Sequence, residues 1–261
     1  MNDLTITSLE RITAFGIATG DYRFTLEELQ TGSVGNTQEE VEITGKAGRK
    51  LNTLKRNKAA TISATNGLLS SGLPEAQTGG KVSKKATEVL WTDMLTVQSN
   101  RATTNWKAVG SVGAEIDSVE IRNTDGTVGA ELVQDATAGA GKFAYSPATK
   151  ELSFHTDIED GTAIIVRYKR KIQANVLSNV SDNYSEKLSL YIDALAEDTC
   201  NNVYHVQIHF PRADVKGEFS IEMGDAQTVH SFEAEALAGG CAGSANLWDY
   251  VVFGSNAADE A

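Results

Sequence analysis

Cysteine, proline and long apolar runs are all scarce in this chain of 261 residues. The two cysteines, Cys200 and Cys241, are too few for a disulfide framework, and a reducing cytoplasm is the simplest setting for them. No run approaches the roughly 18 consecutive apolar residues of a membrane helix. The opening residues, MNDLTITSLE, lack the apolar core of a secretory signal. We therefore expect a protein that is made in the cytoplasm and does not enter a membrane.

Positive charge is also in the minority. Lysine and arginine total 23 against 35 acidic residues, which gives a net charge of −12. Tight binding of nucleic acid depends on Lys and Arg contacts to phosphates, so this balance excludes a protein that holds DNA tightly, although it allows one that lies close to DNA. With 41% apolar residues, the chain can form the core of one large all-β domain or of two small domains.

Glycine, by contrast, is abundant, with 23 residues against three prolines, as expected for many short strands joined by glycine turns. Several segments alternate polar and apolar residues with the period of a half-buried strand. The clearest is Tyr204–Phe210, which we expect to end at Pro211. One short helix is predicted at about Leu68–Gln77. Further strands are predicted at Glu40–Thr44, Ala60–Ala64, Lys187–Ile192, Glu218–Met223, Val229–Ala236 and Leu247–Phe253.

Residues 96–172 have a pattern of their own. Asn123–Gly126 is a predicted hairpin turn around an Asp-Gly pair, and a second hairpin turns at Pro147–Lys150. A third apolar run, Ala163–Tyr168, then closes on three basic residues. Either this stretch is an inserted β-subdomain, or it extends the main sheet of a single domain that spans residues 1–261.

No pattern typical of a catalytic, cofactor or metal site is present. His205 and His209 lie four residues apart, a spacing that brings two zinc ligands together on a helix but separates them by about 13 Å on a strand. The G-x-S-x-G turn of many hydrolases does not occur. Gly79-Gly80-Lys81 lacks the following Ser or Thr of a phosphate loop. We therefore expect no enzymatic activity, no cofactor and no metal site.

The basic residues are concentrated in one short segment. Between Lys46 and Lys58 there are six of them and no acidic residue, which leaves a net charge of −18 on the rest of the chain. The candidate contact residues of this segment are the six basic residues and the two leucines among them: Lys46, Arg49, Lys50, Leu51, Leu54, Lys55, Arg56 and Lys58.

Two long blocks of sequence resemble the major tail proteins of bacteriophages, which are the subunits of the tail tube. The first block reads NTQEEVEITGKAGRKLNTLKRNKAATISATNGLLSSGLPEAQTGG. The second reads VQIHFPRADVKGEFSIEMGDAQTVHSFEAEALAG and is followed by LWDYVVFG. The resemblance covers about Asn36 to Gly254, and it depends on the length and order of the blocks, since none of them is a short signature.

The resemblance implies an all-β fold, a β-sandwich or barrel-like domain with one short flanking α-helix. It further implies six-fold rings that stack into a hollow tube, through which DNA passes at infection. The implied partners are other copies of the chain, the tail tip or baseplate proteins, the tail terminator and tape measure proteins, and DNA in transit. The implied location is the virion tail, assembled in the host cytoplasm. Residues 255–261 are expected to be a frayed tail.

The basic segment would be out of place in a bore that carries DNA. An acidic bore repels DNA and lets it slide, whereas Lys and Arg there would hold its phosphates. We therefore assign the segment to a loop that contacts the next ring or the adjacent subunit, with Leu51 and Leu54 carrying most of the binding. The alternative is a solvated basic loop without a partner, which is what most charge runs are.

Two other functions stay open at this level. A carbohydrate-binding β-sandwich module on a virion or cell surface would be a monomer or trimer with a pocket of exposed Trp or Tyr rings. A hydrolase using carboxylates or histidines would need a concave site, which no motif locates. A tube subunit instead predicts rings and filaments that form as the protein concentration rises.

Overall fold

The computed structural model describes residues 3–70, 72–222, 229–238 and 245–254. The chain divides into two compact units, the first containing the residues up to Val82 and from Leu177 onward, and the second being Ser83–Val176. Cys241 and the predicted tail, residues 255–261, lie outside the described residues.

Strands make up nearly all of the regular structure in the described residues, which confirms the all-β prediction with one short helix. In chain order the elements are β1 (Leu4–Gly16), β2 (Tyr22–Leu26), β3 (Leu29–Thr44), β4 (Lys50–Asn66), α1 (Gly72–Thr78), β5 (Ser83–Thr96), β6 (Arg101–Thr103), β7 (Ile116–Arg122), β8 (Val128–Gln134), β9 (Lys142–Ser146), β10 (Glu151–Phe154), β11 (Ala163–Val176), β12 (Lys187–Asp198), β13 (Val203–Val215), β14 (Ile221–Glu222), β15 (Val229–Ala236) and β16 (Asp249–Gly254).

The first unit is a sheet that curls around an apolar core. Its strand order is β2-β1-β12-β13-β15-β4-β3, with β14 also pairing with β15 and β16 with β13. Alternate residues point inward, as in β12, where Leu188, Leu190 and Ile192 are buried and the residues between them are half-buried. The curl brings Phe24 of β2 against Phe232 of β15, with ring centroids 6.1 Å apart in an edge-to-face contact. The predicted fold class, an all-β domain of the β-sandwich or barrel-like type, is confirmed.

The helix begins later than the predicted Leu68–Gln77. Pro74 explains the late start, because a proline is tolerated in the first turn, where its missing N–H has no helical acceptor. The helix buries Leu73 and Ala76 in the core of the first unit. It ends at Gly79, which has a left-handed φ of +66° and donates its N–H to the carbonyl of Glu75 at 2.8 Å.

The prediction that a strand ends at Pro211 is wrong, since β13 continues through it to Val215. Between Leu188 and Leu190 the register with β12 shifts, so that Pro211 and Arg212 face the single residue Ser189. At the same point β13 changes its partner on the other side, from β16 to β15. Proline is tolerated at such a bulge because no ladder hydrogen bond has to be donated there.

A buried histidine connects the helix to the sheet. The ring of His230 is fully buried and its Nε2 lies 2.8 Å from Oε1 of Gln77, while Nε2 of Gln77 donates to the carbonyl of Ser231 at 2.9 Å. Because the amide oxygen can only accept, the histidine must be the donor through Nε2. Its Nδ1 has no hydrogen-bond partner among the described residues. Burial lowers the pKa of His230, and burial is also the main cause that lowers the pKa of His209.

The first unit should lose stability as the pH falls below about 6.5. Because these histidines have a lower pKa in the folded state, the unfolded chain binds more protons than the folded chain at these pH values. Their contribution to the free energy of unfolding is therefore complete above the pKa of the unfolded chain, and it declines as the pH falls toward the pKa of the folded chain. His230→Gln should flatten the pH dependence of urea unfolding, with His209 supplying the remainder. An unchanged slope in His230→Gln would contradict this account.

The second unit has its own sheet and its own core. The strand order is β5-β11-β7-β8-β9-β10-β6, antiparallel except for the β8–β9 pair. Residues 96–172, which the sequence left as either a subdomain or a sheet extension, lie within this unit together with most of β5, which begins at Ser83. The strand predicted at Ala163–Tyr168 runs on to Val176, because β5 pairs with β11 over its whole length and Lys169 and Lys171 point into solvent.

Both predicted hairpin turns of this unit are confirmed. The Asn123–Gly126 turn joins β7 to β8, and Gly126 adopts a left-handed φ of +84° that glycine accommodates without strain. The turn at Pro147–Lys150 joins β9 to β10.

A buried carboxylate organises one end of the second unit. Asp93 accepts hydrogen bonds from the Tyr168 hydroxyl at 2.7 Å, from the indole N–H of Trp91 at 2.9 Å, and from both the backbone and side-chain amides of Asn105. These donors hold the pKa of Asp93 below its usual value although burial opposes the charge. Burial of the Tyr168 hydroxyl, followed by its bond to Asp93, raises the pKa of that tyrosine.

Candidate functional site

The basic segment belongs to a long two-stranded hairpin that extends beyond the core of the first unit. We define residues 39–56, the outer halves of β3 and β4 with the turn between them, as the hairpin arm. Every residue of the arm is exposed or half-buried, whereas β4 beyond the arm buries Ala60, Ile62 and Ala64 in the core. The arm is therefore a strand pair without a core of its own.

A bulge marks the base of the arm. The pairing jumps from Thr37–Ala59 to Glu39–Arg56, which leaves two residues of β4 opposite one of β3. One of them, Asn57, has a left-handed φ of +51°. Its side-chain amide donates to Glu39 at 2.6 Å, and Arg56 donates to the other oxygen of the same carboxylate at 2.7 Å. The bond from Arg56, followed by that from Asn57, lowers the pKa of Glu39.

The prediction of a basic loop is wrong from Lys50 onward, where the segment is strand β4 and pairs with the acidic strand β3. Its contact with a neighbouring subunit stays a prediction. Lys50 bonds to Glu42, and Lys55 lies 3.6 Å from Glu40. Together with the Arg56–Glu39 pair, three of the six basic residues thus have a carboxylate partner within the arm. Exposed pairs of this kind contribute little to stability, but Arg56–Glu39 and Lys55–Glu40 join residues that stand directly across the two strands, which favours this register.

Positive charge remains at the tip of the arm and at its base. A single helical turn, Lys46–Gly48, closes the hairpin. Lys46 and Arg49 in or beside this turn, and Lys58 just outside the arm, form no ion pair with any residue that the structure describes. The eight candidate contact residues therefore lie together on one hairpin. Three of its six basic residues have a carboxylate partner within the arm, and the other three do not.

The arm also exposes apolar side chains. Val41 pairs with Leu54, and Ile43 follows two residues later, so that these side chains share one face of the arm. Leu51 and Leu54 are 66% and 52% exposed. Leu51 sits at the register shift beside the turn, where it lies over Gly45. Exposed leucines beside unpaired cations are a composition that suits a protein contact.

An open sheet edge runs along the same hairpin. Strand β3 is the last strand in the order of the first unit and pairs with β4 alone among the described strands. Its outer N–H and C=O groups have no strand partner among the described residues, although near the inner end the side chain of Leu9 in β1 lies against Gly32. Long open edges are sites at which a further chain adds by backbone hydrogen bonding.

Several of the aromatic rings on which a carbohydrate could stack already have a partner within the chain. In the second unit, the guanidinium of Arg170 lies 3.8 Å from the ring centroid of Trp106 and 5.0 Å from that of Trp91. A groove of about 790 Å³ crosses β1, β2, β12 and β13 of the first unit. There the ring of Tyr191 stacks on His209 at 4.2 Å and receives the edge of Phe15 on another side. These rings therefore have partners within the chain, whereas Tyr22 and Tyr184 are 62% and 81% exposed.

The two histidines of β13 lie in separate aromatic contacts. His205 stacks on Phe253 at a centroid distance of 5.4 Å, while His209 stacks on Tyr191 and its Nε2 lies 3.0 Å from the Ser189 hydroxyl. Within the described ranges, no group of three or more His, Cys, Asp or Glu residues is placed to hold a metal ion. In the same part of the chain, no helix has the length and apolar character required to cross a membrane.

The fold and the arm together define a class: an all-β structural protein with an open sheet edge and a projecting, solvent-exposed hairpin. Comparison with known families agrees with this class and makes it specific. The YomU/Tube protein family is matched over residues 4–248, and the chain belongs to that family. The resemblance to phage tail tube proteins is thereby confirmed. None of the curated proteins compared with the chain matches it.

Family membership indicates a structural protein of a phage tail, which assembles with itself, and it points away from an enzyme. Sequence reasoning missed one part of the site, namely the carboxylates of β3. A signal for them was present, because Glu39 and Glu40 mirror Arg56 and Lys55 about the turn at Lys46–Gly48, and Glu42 lies on the same strand. Such mirrored charge is typical of a hairpin with paired strands.

Proposed function

We propose that the chain is the tube subunit of a phage tail, with six copies forming a ring and the rings stacking into a hollow conduit for DNA. The observation that supports this most directly is the open edge of β3, which continues into an arm without a core. In a monomer, within the described residues, the edge of β3 has no strand to pair with and the arm has nothing to pack against, whereas neighbouring copies can provide both.

A ring follows from the asymmetry of the contact. In the proposed ring, the edge and arm of one copy bind a different surface of the next, which makes the interface head-to-tail. A head-to-tail contact repeated around a rotation axis closes on itself, so that no copy in the ring is left with a free edge. Stacked rings then need only one further contact along the tube axis.

The charge distribution supports a bore that transmits DNA. The net charge of −12 becomes more negative once the basic segment is set aside, and an acidic bore has no Lys or Arg contacts with which to retain phosphates. In this proposal the arm points away from the bore, toward the next ring or the adjacent subunit. Tail tip, terminator and tape measure proteins complete the particle, which assembles in the host cytoplasm.

Contacts of the arm divide between its apolar and its charged residues. Leu51 and Leu54 provide the area that a neighbour would cover, and hydrophobic burial would supply most of the affinity. Lys46 and Arg49 have no described partner within the chain, so their charge is available to a neighbour's carboxylates. Such pairs at an interface rim govern encounter and register more than affinity.

Leu51→Ser with Leu54→Ser should abolish tubes while the chain stays folded. Removing two exposed leucines costs the isolated chain little, but it removes the apolar part of the contact. The measurement is negative-stain microscopy combined with size-exclusion chromatography over a range of protein concentrations. Leu68→Ser with Leu69→Ser is the matched control, because these leucines are 60% and 57% exposed and lie outside the arm. Normal tubes from the Leu51 and Leu54 variant would refute the role assigned to the arm.

Charge reversal at the tip should weaken assembly in a salt-dependent way. Lys46→Glu with Arg49→Glu leaves the ion pairs within the arm intact and changes only cations without a described partner. The protein concentration at which half of the chain sediments as tubes should rise at low salt, and the difference from the wild type should shrink at high salt because screening removes the interaction. Lys84→Glu with Lys85→Glu, two exposed cations outside the arm, is the control. Equal behaviour of the tip variant and the control would favour a solvated arm.

A further inference from the structure

The inner halves of β3 and β4, with β15, present a continuous face of small hydroxylated and acidic side chains. Residues that pair across an antiparallel sheet point to the same side, so the register places nine positions in three rows. The rows are Thr31, Thr65 and Ser231; Ser33, Ser63 and Glu233; and Gly35, Thr61 and Glu235. We call these nine positions the hydroxyl face.

The composition of the hydroxyl face is unusual for an exposed sheet. None of its nine positions carries a basic, aromatic or aliphatic side chain. The hydroxyls satisfy one another, with Thr31 and Thr65 at 2.7 Å and Ser33 and Ser63 at 2.9 Å between their oxygens. At the border with β13, Lys216 is bound to Glu235 at 2.7 Å, so this cation is neutralised where it lies.

Other exposed surfaces of the first unit differ from it in kind. The groove over β1, β12 and β13 carries Arg11 and the rings of Phe15 and Tyr191. The arm carries cations and leucines. Either composition would offer a passing polyanion a phosphate contact or a stacking surface, whereas hydroxyls and carboxylates offer neither.

The position of the hydroxyl face at the open edge of β3 gives a second argument. A strand of another copy that pairs with this edge extends the sheet sideways, and its paired residues continue the same face. The face would then repeat from subunit to subunit around a ring. At the other end of the strand order, β2 spans only five residues against sixteen for β3, so it offers a shorter edge for such an extension.

We infer that the hydroxyl face lines the bore of the tube and is the surface over which DNA slides. This inference rests on the proposed function and assigns the bore to particular residues. Glu233 and Glu235 supply the repulsive charge, and the serines and threonines supply a hydrated surface without phosphate-binding cations.

The test is to locate a gold cluster in assembled tubes. Ser63→Cys places a thiol in the centre of the hydroxyl face, and Thr13→Cys places one on the outward face of β1, on the other side of the core. Both are made in a Cys200→Ser, Cys241→Ser background, assembled, labelled with a maleimide undecagold cluster and imaged by cryo-electron microscopy. The inference predicts gold density inside the bore for Ser63→Cys and outside it for Thr13→Cys.

Each other outcome has a distinct meaning. Gold on the outer wall for Ser63→Cys, or gold in the bore for both variants, overturns the assignment while the tube stands. Failure of Ser63→Cys alone to form tubes would place the face in a subunit contact and also overturn it. If the unsubstituted chain forms no tubes at any concentration, the proposed function falls and the assignment with it.

Discussion

Backbone hydrogen bonding along one open strand edge is the constraint on which the rest of this structure depends. Strand β3 pairs with β4 alone in the described part of the chain, and its outer half continues into an arm that buries nothing. An edge of this length in a lone monomer invites uncontrolled pairing with other chains. In the tube that we propose, identical copies complete one another's sheets along this edge.

The charged residues are distributed along the same hairpin. The arm holds its register with three cross-strand ion pairs, so that its basic residues are partly neutralised before any neighbour arrives. The remaining cations lie at the tip and base of the arm, whereas the hydroxyl face lies on the inner half of the hairpin and on β15. The same hairpin thus contributes to two surfaces: the arm, which we propose contacts a neighbouring subunit, and the hydroxyl face, over which we infer that DNA slides.

Local sequence patterns predicted most strands but not their junctions. The alternation around Val229–Ala236 and the Asp-Gly pair at Gly126 are strictly local signals, and both strand and turn occur where they were predicted. Pro211 misled the prediction because its tolerance depends on a bulge and on a change of partner strand, which a single segment does not encode. The basic segment was taken for a loop because its acidic partners lie on another strand, and pairing is visible only when both are read together. The buried Gln77–His230 bond joins residues far apart in sequence and has no local signal.

Hydrogen exchange of the β3 amides tests the central claim most directly. Backbone amides of Leu29–Thr44 would be compared between dilute protein and the assembled material recovered at high concentration, with amides of β12, which is paired on both sides, as the internal reference. The account predicts that the outward-facing amides of β3 exchange readily in the dilute chain and become strongly protected on assembly. Unchanged exchange along β3 in assembled particles, or a chain that stays monomeric at high concentration, would contradict it.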